Sequence, residues 1–126
     1  MSGSNQIRIG LIGYGYWGPN IARNFMDSDS FDLVAIADSS EPQRLRASKK
    51  FPMPKVVQSA EHIVNDPTID AVAIVTPPES HFLLAKACLE AGKHVFIEKP
   101  VTTKASDAVE LIKIAADKIK PIFNLC

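Results

Sequence analysis

Three short stretches of this 126-residue chain have residue types and spacings that could do chemistry. The first is Gly13-Tyr14-Gly15-Tyr16-Trp17-Gly18, which follows an apolar run over residues 7–12 and opens a helical pattern. The three glycines serve different ends. Gly13 permits a tight turn, and Gly15 lets the backbone approach a ligand with no Cβ in the way. Gly18 lets a helix pack closely on a strand. The free N–H groups and the positive end of the helix dipole then face an anion. Further on, Asp38 closes a second apolar run, Ala35-Ile36-Ala37-Asp38. A carboxylate there can accept hydrogen bonds from both hydroxyls of a ribose. A glycine turn without these neighbours is a weak sign. Strand, turn, helix and acid together point to a dinucleotide, with its pyrophosphate on the glycines and its adenosine ribose on Asp38.

Asp38 also bears on which dinucleotide is bound. It would repel a ribose 2′-phosphate, since two unit charges ~4 Å apart interact by about 4 kcal/mol at a surface-like dielectric. NAD is therefore the expected cofactor. The plainer reading of Asp38 is a turn aspartate after a strand. Ser39 and Ser40 can add hydroxyl contacts, although loops commonly contain such residues. Arg44 and Arg46 fall on the next helix and read as a solvated face. An Arg44 turned back toward Asp38 would accommodate the phosphate, which keeps NADP open as the alternative.

The second stretch, Thr76-Pro77-Pro78-Glu79-Ser80-His81, follows the apolar run Ala71-Val72-Ala73-Ile74-Val75. The third, Glu98-Lys99-Pro100, follows His94-Val95-Phe96-Ile97. Taken singly, His81 reads as a surface histidine at a helix start, and Glu98-Lys99 as a surface turn. Their shared position at the carboxyl ends of strands gives them another reading. Thr76 is delivered to a ligand crevice, and Lys99 presents a cation or donor toward the nicotinamide and substrate.

These residues need a frame to position them. Strands are expected near 7–12, 32–37, 55–57, 70–76, 93–97 and 121–125, and helices near 17–27, 41–50, 59–65, 78–91 and 104–118. Such alternation predicts an α/β fold: a doubly wound parallel sheet of about six strands, helices on both faces, in the Rossmann order 3-2-1-4-5-6. Pro78 suits a first helical turn, Gly92 a left-handed position after a helix, and Lys120-Pro121 a helix stop. In the last helix Ala105, Ala108, Val109, Ile112, Ala115, Ala116 and Ile119 form a stripe expected to lie on the sheet. Residues 1–6 read as a disordered or tag-like start, and 7–126 as one dinucleotide-binding domain.

Composition narrows the partners. Hydrophobic residues make up 46% and charged residues 22%, as in ordinary globular domains. Fourteen basic and fourteen acidic side chains cancel, leaving no broad field for nucleic acid or anionic lipid. No apolar run approaches the length of a membrane span, and the polar start is unlike a signal peptide. Cys88 and Cys126 lack the spacing of a zinc site, so no metal is expected, and Cys88 reads as a small core residue. A reducing, cytoplasmic setting is the default expectation.

Together, Gly13-Tyr14-Gly15-Tyr16-Trp17-Gly18, Asp38, Thr76-Pro77-Pro78-Glu79-Ser80-His81 and Glu98-Lys99-Pro100 resemble the glucose–fructose oxidoreductase, inositol dehydrogenase and rhizopine-catabolism family (Gfo/Idh/MocA). The resemblance covers residues 7 to about 125, and Glu98-Lys99-Pro100 is its most specific part. It implies NAD(P)-dependent oxidation or reduction at a hydroxyl-bearing carbon of a sugar, cyclitol or nucleotide-linked sugar. By the same resemblance Tyr16 and Trp17 line the pyrophosphate and nicotinamide side, while Thr76, Pro77, Pro78, His81 and Glu98 border the dinucleotide. Lys99 is the catalytic candidate, hydrogen-bonded to the reacting hydroxyl, with a cis peptide before Pro100 as one way of aiming it. The usual second α/β domain, which supplies most of the substrate pocket and the acid–base residue, is absent from these 126 residues. The expectation is therefore the cofactor half of an oxidoreductase, inactive alone. The competing reading is a non-catalytic NAD-binding or assembly module, a homo-oligomer built on an uncovered apolar face and the edge of strand six. An S-adenosylmethionine methyltransferase would leave Glu98-Lys99-Pro100 unexplained.

Overall fold

The alternating apolar runs fold as six strands: β1 (Ile7–Ile12), β2 (Phe31–Ala37), β3 (Lys55–Val57), β4 (Ala71–Ile74), β5 (His94–Glu98) and β6 (Ile122–Leu125). Between them run α1 (Gly18–Asp27), α2 (Glu41–Lys50), α3 (Glu61–Val64), α4 (His81–Glu90) and α5 (Ala105–Lys118). The computed structural model describes residues 6–98, 102–118 and 122–125. All five strand pairings are parallel, in the order β3-β2-β1-β4-β5-β6. The chain reverses direction across the sheet between β1 and β4. This is where the expected six-stranded, doubly wound topology opens a crevice at the carboxyl ends.

Burial explains why the strands read as nearly continuous apolar runs. All four residues of β4 are buried, because both faces of the sheet are covered. On one face Ile12, Ile63, Val72, Ile74, Leu89, Val95, Ile97 and Leu111 form a core beneath α3, α4 and α5. On the other, Ile9, Leu11, Ile36, Ala71 and Ala73 pack against Ala22 and Phe25 of α1 and Ala47 of α2. The β1–β2 register shifts between Ile9 and Gly10, so that Ile9 pairs with Leu33 and Gly10 with Ala35. That shift puts Leu33 and Ile36 in the same core despite their odd spacing. Cys88 is fully buried in the first core, and burial pushes its thiol pKa up to about 12. It packs as a small hydrophobe, as its sequence setting suggested.

The amino end of the sheet is closed by a buried cation. Lys93 is 3% exposed, and its Nζ donates to the carbonyls of Asp66 at 2.6 Å and Ile69 at 2.7 Å. The loop ahead of β4 is thereby tied to the start of β5.

The last helix corrects one expectation. Leu111 and Ala115 are buried, and Ala108 and Ile114 are partly covered. Ala105, Val109, Ile112 and Ala116, placed on the sheet by the sequence stripe, are exposed; Ile112 is 63% so. Ile119 and the Lys120-Pro121 stop lie outside the described residues. The helix carries apolar residues on two sides, and periodicity alone does not tell which side meets the sheet. Leu111→Ala should therefore cost about 2–4 kcal/mol in urea denaturation, as for a buried leucine. Ile112→Ala should stay within about 0.5 kcal/mol, and equal losses would restore the original stripe.

Candidate functional site

The first crossover builds the site. After β1 the chain turns at Gly13 with φ +102°, a conformation that favours glycine. A Cβ there would also lie 3.0 Å from the backbone of Val75, so β4 approaches too closely for a side chain. Gly15 differs: no atom lies within 4 Å of where its Cβ would be, and the residue borders open space. Gly18 begins α1, and a Cβ there would lie 3.1 Å from the Gly13 carbonyl oxygen and 3.3 Å from the Tyr14 ring. The amino end of α1 has neither a side-chain cap nor an acidic residue in its first turn. The Gly18 N–H is taken by the Gly15 carbonyl and Pro19 has none, so this turn offers the Asn20 amide and the positive end of the helix dipole to a negative partner.

The end of β2 is bound to this turn. The Gly13 N–H donates to the Ala37 carbonyl at 2.8 Å, and the Tyr14 N–H donates to Asp38 Oδ2 at 2.8 Å. Asp38 Oδ1 accepts the Ser40 N–H at 2.8 Å, while the Asp38 N–H donates to the Val57 carbonyl at 3.1 Å. The carboxylate is thus fixed by two backbone amides and keeps further lone pairs for a ligand. Arg44 does turn back toward Asp38, as one reading of the sequence allowed. Its Nη1 meets main-chain carbonyls, those of Asp38 and Ser39, each at 3.0 Å.

A cleft of about 590 Å³ opens beside this loop, within the range of small-molecule sites. Its wall includes Gly13, Gly15, Asp38, Ser39, Thr76 and Pro77, all singled out in the sequence. The strand ends Ile12, Ala37 and Val75 add to it, and Gln58, Ser59, Ala60, Ser80 and Leu84 also line it and were missed. The signal for Gln58, Ser59 and Ala60 was available: they follow β3, whose carboxyl end must open on the same side as those of β1 and β2. The open position at Gly15, the uncapped helix and the held carboxylate together fit a dinucleotide.

Other expected residues stand elsewhere. Tyr16 is 86% and Trp17 49% exposed, and their rings meet edge to face at 4.9 Å. Neither contributes to the cleft wall, because the turn directs them to solvent. Tyr14 is the loop aromatic that the sequence pattern did not single out. It is buried against Phe51 and Gly18, and burial raises its hydroxyl pKa. His81 is also fully buried, with Nε2 2.8 Å from the Thr76 carbonyl. Pro78 starts a short 3₁₀ turn, Pro78–Ser80, so α4 begins only at His81 and draws the ring beneath Thr76. His81 thus supports the cleft from behind. Pro78 and Glu98 are half-buried outside the cleft wall, and Lys99 and Pro100 lie outside the described residues. Among the described residues no cluster of three metal-ligating side chains occurs, and no helix is long and apolar enough to cross a membrane.

Comparison with known proteins agrees with this geometry. Residues 7–124 match the Gfo/Idh/MocA oxidoreductase family, described by its NAD-binding Rossmann fold. The chain belongs to this family. It is 42% identical over 112 residues to the uncharacterized oxidoreductase YdgJ of Escherichia coli, covering 89% of this chain and 32% of that one. It is 36% identical to scyllo-inositol 2-dehydrogenase (NADP(+)) IolW of Bacillus subtilis, covering 89% of this chain and 30% of the relative. Among solved structures, biliverdin reductase from Synechocystis, in complex with biliverdin and NADP+, superimposes with a TM-score of 0.89 at 31% identity. That match covers 94% of this chain and 37% of the reductase. The chain spans about a third of the length of the curated relatives it matches. This NAD-binding domain of an oxidoreductase family carries the turn geometry in its backbone. Gly13→Ala should therefore lower stability by about 1–3 kcal/mol in urea denaturation, and an unchanged midpoint would remove the need for glycine at this φ.

Proposed function

We propose that this domain binds NAD in the cleft at the carboxyl ends of β1, β2, β3 and β4, as the cofactor-holding part of an oxidoreductase acting on a hydroxyl-bearing carbon of a sugar or cyclitol. The observation that carries the reading is the Asp38 carboxylate, fixed in the cleft wall beside the glycine turn, where Gly15 leaves open space. When bound, the nicotinamide supplies the hydride acceptor or donor. The chain's own residues bind and orient. The amides of Gly15, Tyr16 and Trp17, with the amino end of α1 behind them, would hold the pyrophosphate. Asp38 would accept the ribose hydroxyls with Ser39 beside it, and Thr76 and Pro77 would form the opposite wall. His81 would keep Thr76 in place through its carbonyl.

Lys99 would hydrogen-bond the reacting hydroxyl, a role that rests on its place in the Glu98-Lys99-Pro100 motif. The substrate class is carried over from the family and from the inositol named for IolW. A second domain would complete the substrate pocket and supply the acid–base group. These 126 residues by themselves should bind NADH yet turn over sugars negligibly. NAD should be preferred, because the charge facing the ribose is negative.

Titration of NADH fluorescence tests the reading directly. Saturable binding is expected, and none at millimolar NADH would refute it. Gly15→Ala should leave the urea midpoint nearly unchanged while weakening NADH at least roughly tenfold, since its Cβ would enter the ligand's space. Asp38→Ala should weaken NADH more than NADPH, and equal losses would take Asp38 out of cofactor choice.

A further inference from the structure

We infer that Arg44 is a positioning residue for the ribose-facing loop: it holds Asp38 and Ser39 through their carbonyls and does not read the cofactor's 2′ position. The inference rests on the cofactor reading above. It concerns which part of the loop Arg44 serves.

Arg44 lies in the first turn of α2, where its N–H donates to the Ser40 carbonyl at 3.0 Å. From there the half-buried side chain reaches back under the loop, and one nitrogen, Nη1, bridges two consecutive carbonyls at 3.0 Å each. Asp38 and Ser39 form part of the cleft wall and Arg44 does not. The guanidinium therefore meets the loop on its main-chain side, while the charge exposed to the cleft is the carboxylate. Both Asp38 oxygens already accept backbone amides, so the carboxylate is unable to swing aside for a phosphate without losing two charge-assisted bonds. Arg46, the other basic residue of this helix noted in the sequence, donates to Gln43 Oε1 at 2.8 Å. A guanidinium suits this bridging because its donors are fixed in a plane and it stays charged at any working pH.

Phosphate recognition and loop support differ in what they do to the NADPH/NADH ratio. Losing a phosphate ligand weakens NADPH selectively, whereas losing a support of the loop's main chain weakens both cofactors alike, because the Tyr14 and Ser40 amides still hold the Asp38 carboxylate in place. Arg44→Met keeps much of the aliphatic stem and removes the donors. With wild-type, Arg44→Met and Arg44→Lys chains, fluorescence titrations of NADH and NADPH should show Arg44→Met raising both dissociation constants by the same factor, roughly fivefold. The NADPH/NADH ratio should stay within about twofold of wild type. Arg44→Lys should recover most of the loss, because one ammonium can donate to both carbonyls. Thermal melting of each variant separates this effect from unfolding. If Arg44→Met does not fold, Arg44→Gln, which retains one amide donor, should give an intermediate loss with the same unchanged ratio. Selective loss of NADPH would overturn the inference in favour of a phosphate ligand. Unchanged constants in a folded variant would show that the loop stands without Arg44. A wild-type chain that binds neither cofactor would overturn the cofactor reading itself.

Discussion

One carboxylate joins the parts on which the cleft depends. Asp38 receives the Tyr14 amide from the glycine turn on one oxygen and the Ser40 amide from the start of α2 on the other. Its own amide is donated to β3 through Val57. Three consecutive strand ends are therefore fixed relative to one another by bonds to a single residue. Hydrogen bonds to an ionised acceptor are stronger than neutral ones, which offsets the cost of partly removing a carboxylate from water. The same residue is the one placed to meet a ribose. Support and recognition are thus combined at one position, and a substitution there alters the cleft's shape as well as its charge.

The two ends of the sheet are built for different purposes. At the amino end, Lys93 spends its donors on the Asp66 and Ile69 carbonyls and closes the fold with a buried cation. At the carboxyl end, the amino terminus of α1 is left without a side-chain cap, and Gly15 faces open space. Polar capacity is satisfied internally where the sheet only has to hold. It is left available where a ligand can complete it. Thr76 sits between these roles, with its side of the cleft kept in place by the buried His81 ring.

Much of this was legible in the sequence, for identifiable reasons. Parallel strands covered on both faces leave long apolar runs, so β4 could be located within a residue or two. The positive φ at Gly13 and Gly92 could be expected because few other residues adopt it. Asp38 stood out by its distance from the glycines. What could not be read were directions set by tertiary packing. Tyr14 turned inward while Tyr16 and Trp17 turned out, although all three share one loop. His81 lay beneath Thr76 because a 3₁₀ turn delayed the helix. The β1–β2 register shift and the buried side of α5 depend equally on neighbours far along the chain.

The central claim is that one cleft, built on Asp38 and the glycine turn, receives the dinucleotide. Amide chemical-shift mapping of the ¹⁵N-labelled chain during an NADH titration tests it most directly. Saturable shifts should concentrate at Gly13–Gly18, Asp38–Ser40, Gln58–Ala60 and Thr76–Ser80, with little change near Lys93 at the opposite end of the sheet. Shifts centred at the Lys93 end, or saturable binding that leaves Tyr14 and Ser40 unmoved, would contradict it.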